Sequence, residues 1–249
     1  MKIAKLILIS ILLQSLFALS GKELAILIDD RQSPEDMKST MSMVLTNKNG
    51  KIRSSEIRSY STDGSKKQIL WFLAPADDKG VAYLKIEHQD KKDDMKLWLP
   101  NFKKIRRISS GKKSESFMGS DMSYEDMTSR DLNKYSYSIT GSEIINNNDC
   151  YILESIPSGI KSEYSKHISW VTKDTYLILK EESFDQDGAL LKSKSIAYQK
   201  IKAYDIMKEL YVKNVQRNHQ TVLKFNDLEV DTGIKDNIFH EKNLKRMPK

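Results

Sequence analysis

The sequence predicts a mainly β (α+β) fold, in which antiparallel strands form one sheet that curls or closes and a few short helices accompany it. Three observations predict this. Turn signals recur roughly every 8–12 residues and mark off about eleven strands. No strand–helix–strand alternation appears, which argues against a parallel α/β fold. Helical spacing of apolar residues is confined to short stretches.

The elements follow in order. Met1 to Ser20 combines Lys2 and Lys5 with an apolar run from Leu6 to Leu19 and small residues at Ala18 and Ser20. That is the pattern of a secretory signal, with cleavage expected before Gly21. The run is short for a membrane span, which needs about 20 apolar residues. No Cys follows it, so a lipid-anchored N-terminus is not expected. Residues 21–249 then form a single domain.

Lys22 to Arg31 spaces Leu24, Leu27 and Ile28 as one helical face. Ser33-Pro34-Glu35-Asp36 reads as a second helix start, reaching about Lys38. From Met41 the signal is β. Met41, Met43 and Leu45 alternate with polar neighbours, and Asn49-Gly50 marks a hairpin. Strands are expected at Ile52–Tyr60, Gln68–Leu73, Val81–Glu87, Met95–Leu99 and Lys103–Ile108. Residues 109–134 break the pattern and read as a mobile, polar loop, with one short helix at Ser123–Ser129. Tyr135 to Ile139 alternates cleanly. Further strands are expected near 150–156, 166–173, 175–184, 189–201, 207–217 and 220–230, with a short closing helix at Asp236–Leu244.

Composition limits the function. The 249 residues include 41 Lys+Arg against 34 Asp+Glu, 39% hydrophobic residues and one Cys. A disordered chain and a disulfide scaffold are both excluded. Cys150 reads as a buried strand residue. The basic excess invites a nucleic-acid partner, but an exported protein meets anionic lipid surfaces instead. The four His are dispersed, so no metal site is indicated. There is no phosphate loop and no Gly-x-Ser-x-Gly elbow. Asp121, Glu125 and Asp126 fit cation binding or acid chemistry; helix capping is the simpler reading. No catalytic residue and no cofactor is assigned.

Lys103, Lys104, Arg106 and Arg107, with Lys112 and Lys113, form the densest basic stretch. It serves either as a charge-protected edge strand or as a docking patch for a membrane or acidic partner. The few short helices are too small to cover the apolar side of so many strands. The uncovered apolar concavity suits an acyl chain, and Met37, Met41, Met43, Met118, Met122 and Met127 supply adaptable side chains.

One series of motifs goes further. Trp98-Leu99-Pro100, the basic strand Lys103–Ile108 and Phe117-Met118-Gly119-Ser120-Asp121-Met122-Ser123-Tyr124-Glu125-Asp126-Met127 resemble the LolA-like family of outer-membrane lipoprotein-sorting proteins. The resemblance implies an unclosed antiparallel β-barrel with a helical lid over an apolar cavity. It further implies a periplasmic carrier for the acyl chains of a lipid or lipoprotein, working beside an inner-membrane transporter of the RND type. The residues expected along the cavity are Met41, Met43, Leu45, Trp71, Leu73, Phe117, Met118, Tyr135, Tyr137 and Trp170. A second reading uses the same fold as a sensor or accessory module of a membrane complex. A third is a lipid-modifying hydrolase built on Asp121 or Glu125.

Overall fold

The computed structural model describes residues 19–246. Most of the expected signal segment lies outside the described residues. The chain opens on α1 (Gly21–Asp29), held by a reciprocal cap: Glu23 N–H donates to Ser20 Oγ at 3.2 Å and Ser20 N–H to Glu23 Oε2 at 2.8 Å. This satisfies two backbone donors that a helix start leaves unpaired. The helix lies tight against the sheet. A Cβ on Gly21 would come within 2.5 Å of the Ser138 backbone nitrogen, so only glycine fits there.

Among the described residues thirteen strands follow, rather than about eleven, and each coincides with a segment readable in the sequence. The first six are β1 (Asp36–Thr46), β2 (Ile52–Thr62), β3 (Lys67–Ala74), β4 (Ala82–Ile86), β5 (Asp94–Leu99) and β6 (Lys104–Arg107). The next four are β7 (Tyr135–Ile145), β8 (Asn148–Pro157), β9 (Lys166–Thr172) and β10 (Ile178–Phe184). The last three are β11 (Leu190–Ile201), β12 (Tyr204–Asn214) and β13 (His219–Val230). They make one antiparallel sheet in the order β6-β5-β4-β3-β2-β1-β13-β12-β11-β10-β9-β8-β7. Its two free edges, β6 and β7, are consecutive in the chain. The sheet therefore stays open between them, and the crossover between the edges runs through residues 108–134.

Two expected helices are absent. Ser33-Pro34-Glu35-Asp36 leads straight into β1. The Asp36 carboxylate caps the chain leaving β13 instead, accepting from the N–H groups of Thr232, Gly233 and Ile234 at 2.7–3.0 Å. Burial opposes its charge, but these bonds outweigh burial and hold its carboxyl below the usual range. Residues 123–129 form turns, and the chain's closing turns, Asp236–Phe239 and Glu241–Lys245, are 3₁₀.

The crossover is only in part the exposed loop its polarity suggests: residues 109–112 are exposed, but Ile108 and residues 117–124 fold into the concavity and plug it. Ile108, Phe117, Met122 and Tyr124 are buried against Met41, Met43, Leu45, Ile57, Phe72, Tyr83, Met95 and Leu97. Phe117 stands edge-on to Tyr83 and Tyr124, with ring centroids 5.2 and 5.8 Å apart, a favoured aromatic geometry. Asp121 secures the plug. Its N–H donates to Thr221 Oγ1 at 2.9 Å, and its carboxylate meets His219 Nδ1 at 2.7 Å. On the convex side the C-terminal tail covers β3 and β4, packing Phe239 and Leu244 on Ile69, Trp71 and Leu84.

Candidate ligand cavity

The other half of the concavity is hollow. Beneath α1 and the second half of the crossover lies a cavity of about 410 Å³, within the size range that holds a small ligand. Side chains alternate across a strand, and the inward positions of β8–β10 carry small residues. Ser155 faces His167 across the β8–β9 pair, Ser169 faces Glu181 across β9–β10, and Ser183 faces His167. Where the plugged half presents Met, Leu, Phe and Tyr, this half presents serine, and space remains.

One wall is apolar: Ala25 and Ile28 of α1, Leu132, Leu153, Ile178, Ile196, Met207 and Leu210. The other is an ion network. Arg130 makes a two-pronged contact with Glu181 at 2.7 and 2.8 Å. Lys194 bridges Glu181 at 3.0 Å and Asp126 at 2.7 Å. Asp126 also meets Lys192 at 3.0 Å and accepts from Tyr164 OH at 2.8 Å. Lys192 completes the chain to Glu163 at 3.2 Å. The Asp126 and Lys192 side chains are each only 4% exposed.

Three acids thus balance three cations. A buried charge without a partner is costly, so the network holds as a unit. Burial opposes ionisation of Asp126 and Glu181, yet the neighbouring Lys and Arg charges win and keep both carboxyls well below the usual range. His167, buried beside Arg130, is depressed to about 3 and stays neutral; its Nδ1 lies 2.9 Å from Ser183 Oγ. Burial pushes the Tyr137 phenol up to about 12.

The network also fastens the roof. Asp126 and Arg130 belong to the crossover, while Glu181, Lys192 and Lys194 belong to β10 and β11. On the opposite side, Lys85 Nζ donates to Met127 O at 2.6 Å and Ser129 N–H to Glu87 Oε1 at 3.1 Å. Asp126 also accepts from Ser123 N–H at 2.8 Å, a capping-type bond, though on a turn rather than a helix. Sequence reasoning missed Lys192 and Lys194. The alternation Lys192-Ser193-Lys194-Ser195-Ile196 was the available signal, but it reads most simply as charges facing solvent.

The structure redistributes the residues expected along the cavity. Tyr135 and Tyr137 line it. Met41, Met43, Leu45 and Phe117 face inward but sit in the close-packed plugged half, with Met118 packed at its margin. Trp71 belongs to the convex face, where its Nε1 donates to Asn243 O at 3.0 Å under the tail; Leu73 shares that strand face. Trp170 also points away, with Lys180 Nζ 3.9 Å from its ring centroid. These corrections have one cause. Period two separates the faces of a strand, but only tertiary contacts tell which face is concave and what fills it. Of the basic stretch, Lys103 and Lys104 are exposed, Arg106 pairs with Glu115, and Arg107 approaches Asp94 at 3.9 Å.

Fold and cavity together define a class: an unclosed antiparallel half-barrel with a roofed internal cavity. A family model described only as an uncharacterized protein matches residues 64–246. The chain is 34% identical to a domain from Vibrio parahaemolyticus named for outer membrane lipoprotein sorting, over 91% of this chain and 98% of that one, with a TM-score of 0.85. It is 31% identical to a DUF1329 family protein from Desulfovibrio piger, over 90% and 97%, with a TM-score of 0.84. A LolA superfamily protein from Nitrosomonas europaea, 17% identical over 91% and 100%, shares the fold at a TM-score of 0.72. No curated protein matches. The chain belongs to the family of this outer-membrane lipoprotein-sorting domain, and it shares the fold of the LolA superfamily.

Proposed function

We propose that this protein is a periplasmic carrier that holds an acyl chain of a lipid or lipoprotein in the roofed cavity and moves it between membranes. One observation carries this reading: about 410 Å³ of space whose lining includes Ile28, Leu132, Leu153, Ile178, Ile196 and Leu210. Burying an acyl chain there contributes about 0.8 kcal/mol per methylene, so affinity needs no covalent step. Every charge of the opposite wall has a partner, so the wall serves as a rigid floor and not as a reagent. The family resemblance adds an RND-type transporter of the inner membrane as the partner that loads or unloads the carrier.

Native mass spectrometry of the periplasmic protein, followed by lipid extraction, tests this. Copurifying lipid that is chemically unchanged is the expected result. A chain that is empty as isolated and takes up no fluorescent fatty acid overturns the carrier reading in favour of an accessory module. A processed lipid favours a hydrolase.

A further inference from the structure

The end of the plugged half carries a surface that the cavity does not explain. Strand register puts the β1–β2 turn (47–51), the β3–β4 turn (75–81) and the β5–β6 turn (100–103) at one end of the sheet. Two contacts join the turns. Arg53 Nη2 meets Asp78 Oδ2 at 2.6 Å, and a Cβ on Gly80 would stand 3.7 Å from the Pro100 ring. The β12–β13 turn (215–218) lies beside them, because Thr46 pairs with Gln220 across β1 and β13.

The charge at this end is one-sided. Residues 47–53, 75–81, 100–104 and 215–218 hold seven cations and two acids, Asp77 and Asp78, and Arg53 occupies Asp78. Lys48, Lys51, Lys79, Lys103 and Lys104 are exposed and form no ion pair among the described residues. Two large apolar side chains stand among them: Ile52 at 64% exposure and Phe102 at 70%. Protection of the sheet edge accounts for charges on β6. It does not account for Lys48, Lys51 and Lys79, which occupy turns between strands already paired on both sides. Nor does it account for a phenylalanine at a turn tip. Clustered lysines around an exposed aromatic match the chemistry of an anionic lipid interface: head-group phosphates for the cations, the interfacial zone for the ring.

We propose that this end of the sheet docks the protein on an anionic bilayer, with the lysines of the three turns on the head groups and Phe102 entering the interface. The proposal goes beyond the carrier reading and does not depend on it, since a chain with an empty cavity would still dock.

Vesicle cosedimentation tests it, using phosphatidylcholine alone and phosphatidylcholine mixed with phosphatidylglycerol. The wild type should bind only the mixed vesicles, and less as salt rises. Lys103→Gln with Lys104→Gln should weaken binding about five-fold for each lysine removed. Lys91→Gln with Lys92→Gln removes the same charge from the β4–β5 loop, at the opposite end of the sheet, and should leave binding near wild type. A Phe102→Trp variant should gain a blue-shifted emission component on mixed vesicles. Equal weakening by the two lysine pairs would mean that net charge alone attracts the protein, and would overturn the proposal. Binding to neutral vesicles as strong as to anionic ones would do the same. So would salt-sensitive binding without the blue shift, which would mean that the charges are drawn to the surface while residue 102 stays out of it.

Discussion

The two halves of the concave face are built from one sheet, yet one is full and the other hollow. In the first, β1–β5 point Met, Leu, Phe and Tyr inward, and the crossover adds Phe117, Met122 and Tyr124. In the second, β8–β10 point serines and charged groups inward, and the crossover adds Asp126 and Arg130. A single segment therefore does two jobs: Ile108 and residues 117–124 are core, and residues 125–132 are roof. The difference teaches that a polar stretch is not equivalent to an exposed one. Ile108, Phe117, Met122 and Tyr124 were enough to seat the crossover in the concavity, and charges met by opposite charges were enough to hold the stretch from Asp126 to Arg130.

Substitutions can break this comparison. The largest effect is expected for Met43→Glu. Met43 is 1% exposed in the plugged half, where an unpaired carboxylate costs several kcal/mol. Circular dichroism should show loss of the folded state. A folded variant that has only lost lipid uptake would instead place Met43 on the ligand site.

Next is Glu181→Gln, which strands Arg130 and leaves Lys194 paired with Asp126 alone. Breaking one member of a buried ion network costs about 3–5 kcal/mol. Denaturant unfolding should show a loss of that size, and the roof over residues 125–132 should exchange its amides faster. A loss below 1 kcal/mol would mean that the network does not hold the roof.

The pH dependence is smaller and has a defined sign. His167 is neutral in the fold, with its pKa depressed to about 3, against about 6.5 when unfolded. The unfolded chain therefore binds the extra proton between these values. The contribution of His167 is fully present above about pH 6.5 and is lost as pH falls toward 3, by about 1.4 kcal/mol per pH unit. Asp126 and Glu181 add their own loss only below about pH 4, where their unfolded forms protonate. A His167→Asn variant should flatten the stability profile between pH 6.5 and about 4.5. An unchanged slope there would assign the dependence to another group.

The smallest effect on stability is expected for Ile196→Trp on the hollow side. The added ring has cavity to occupy, so the melting temperature should move little, whereas uptake of a fluorescent fatty acid should be lost. A drop as large as that of Met43→Glu would show that the second half is packed as tightly as the first.

Much of the fold could be read from local pattern. The turns at Asn49-Gly50 and Asp187-Gly188 and the alternation through Tyr135-Ser136-Tyr137-Ser138-Ile139 each mark strand boundaries, because turn chemistry and period two act over a few residues. The Ser20 cap and the apolar face of α1 are local in the same sense. The helix expected at Pro34 failed because Asp36 found long-range partners at Thr232, Gly233 and Ile234. Its capping signal was real but was answered from the other end of the chain.

The site was less legible. Its charged members, Asp126, Arg130, Glu163, Glu181, Lys192 and Lys194, come from four separate stretches, and only Asp126 stood out before they meet. Trp71, Leu73 and Trp170 looked like cavity residues because they are large and apolar, but an open sheet has two faces, and the C-terminal tail covers Trp71 on the convex one. The sequence by itself determined the strands, their turns, the family resemblance and the basic charge of the chain, since these rest on composition, short-range spacing and motif. Tertiary structure alone decided which half of the concave face is hollow. That outcome depends on where the crossover between the two free edges comes to rest, and the contacts that settle it span the whole chain.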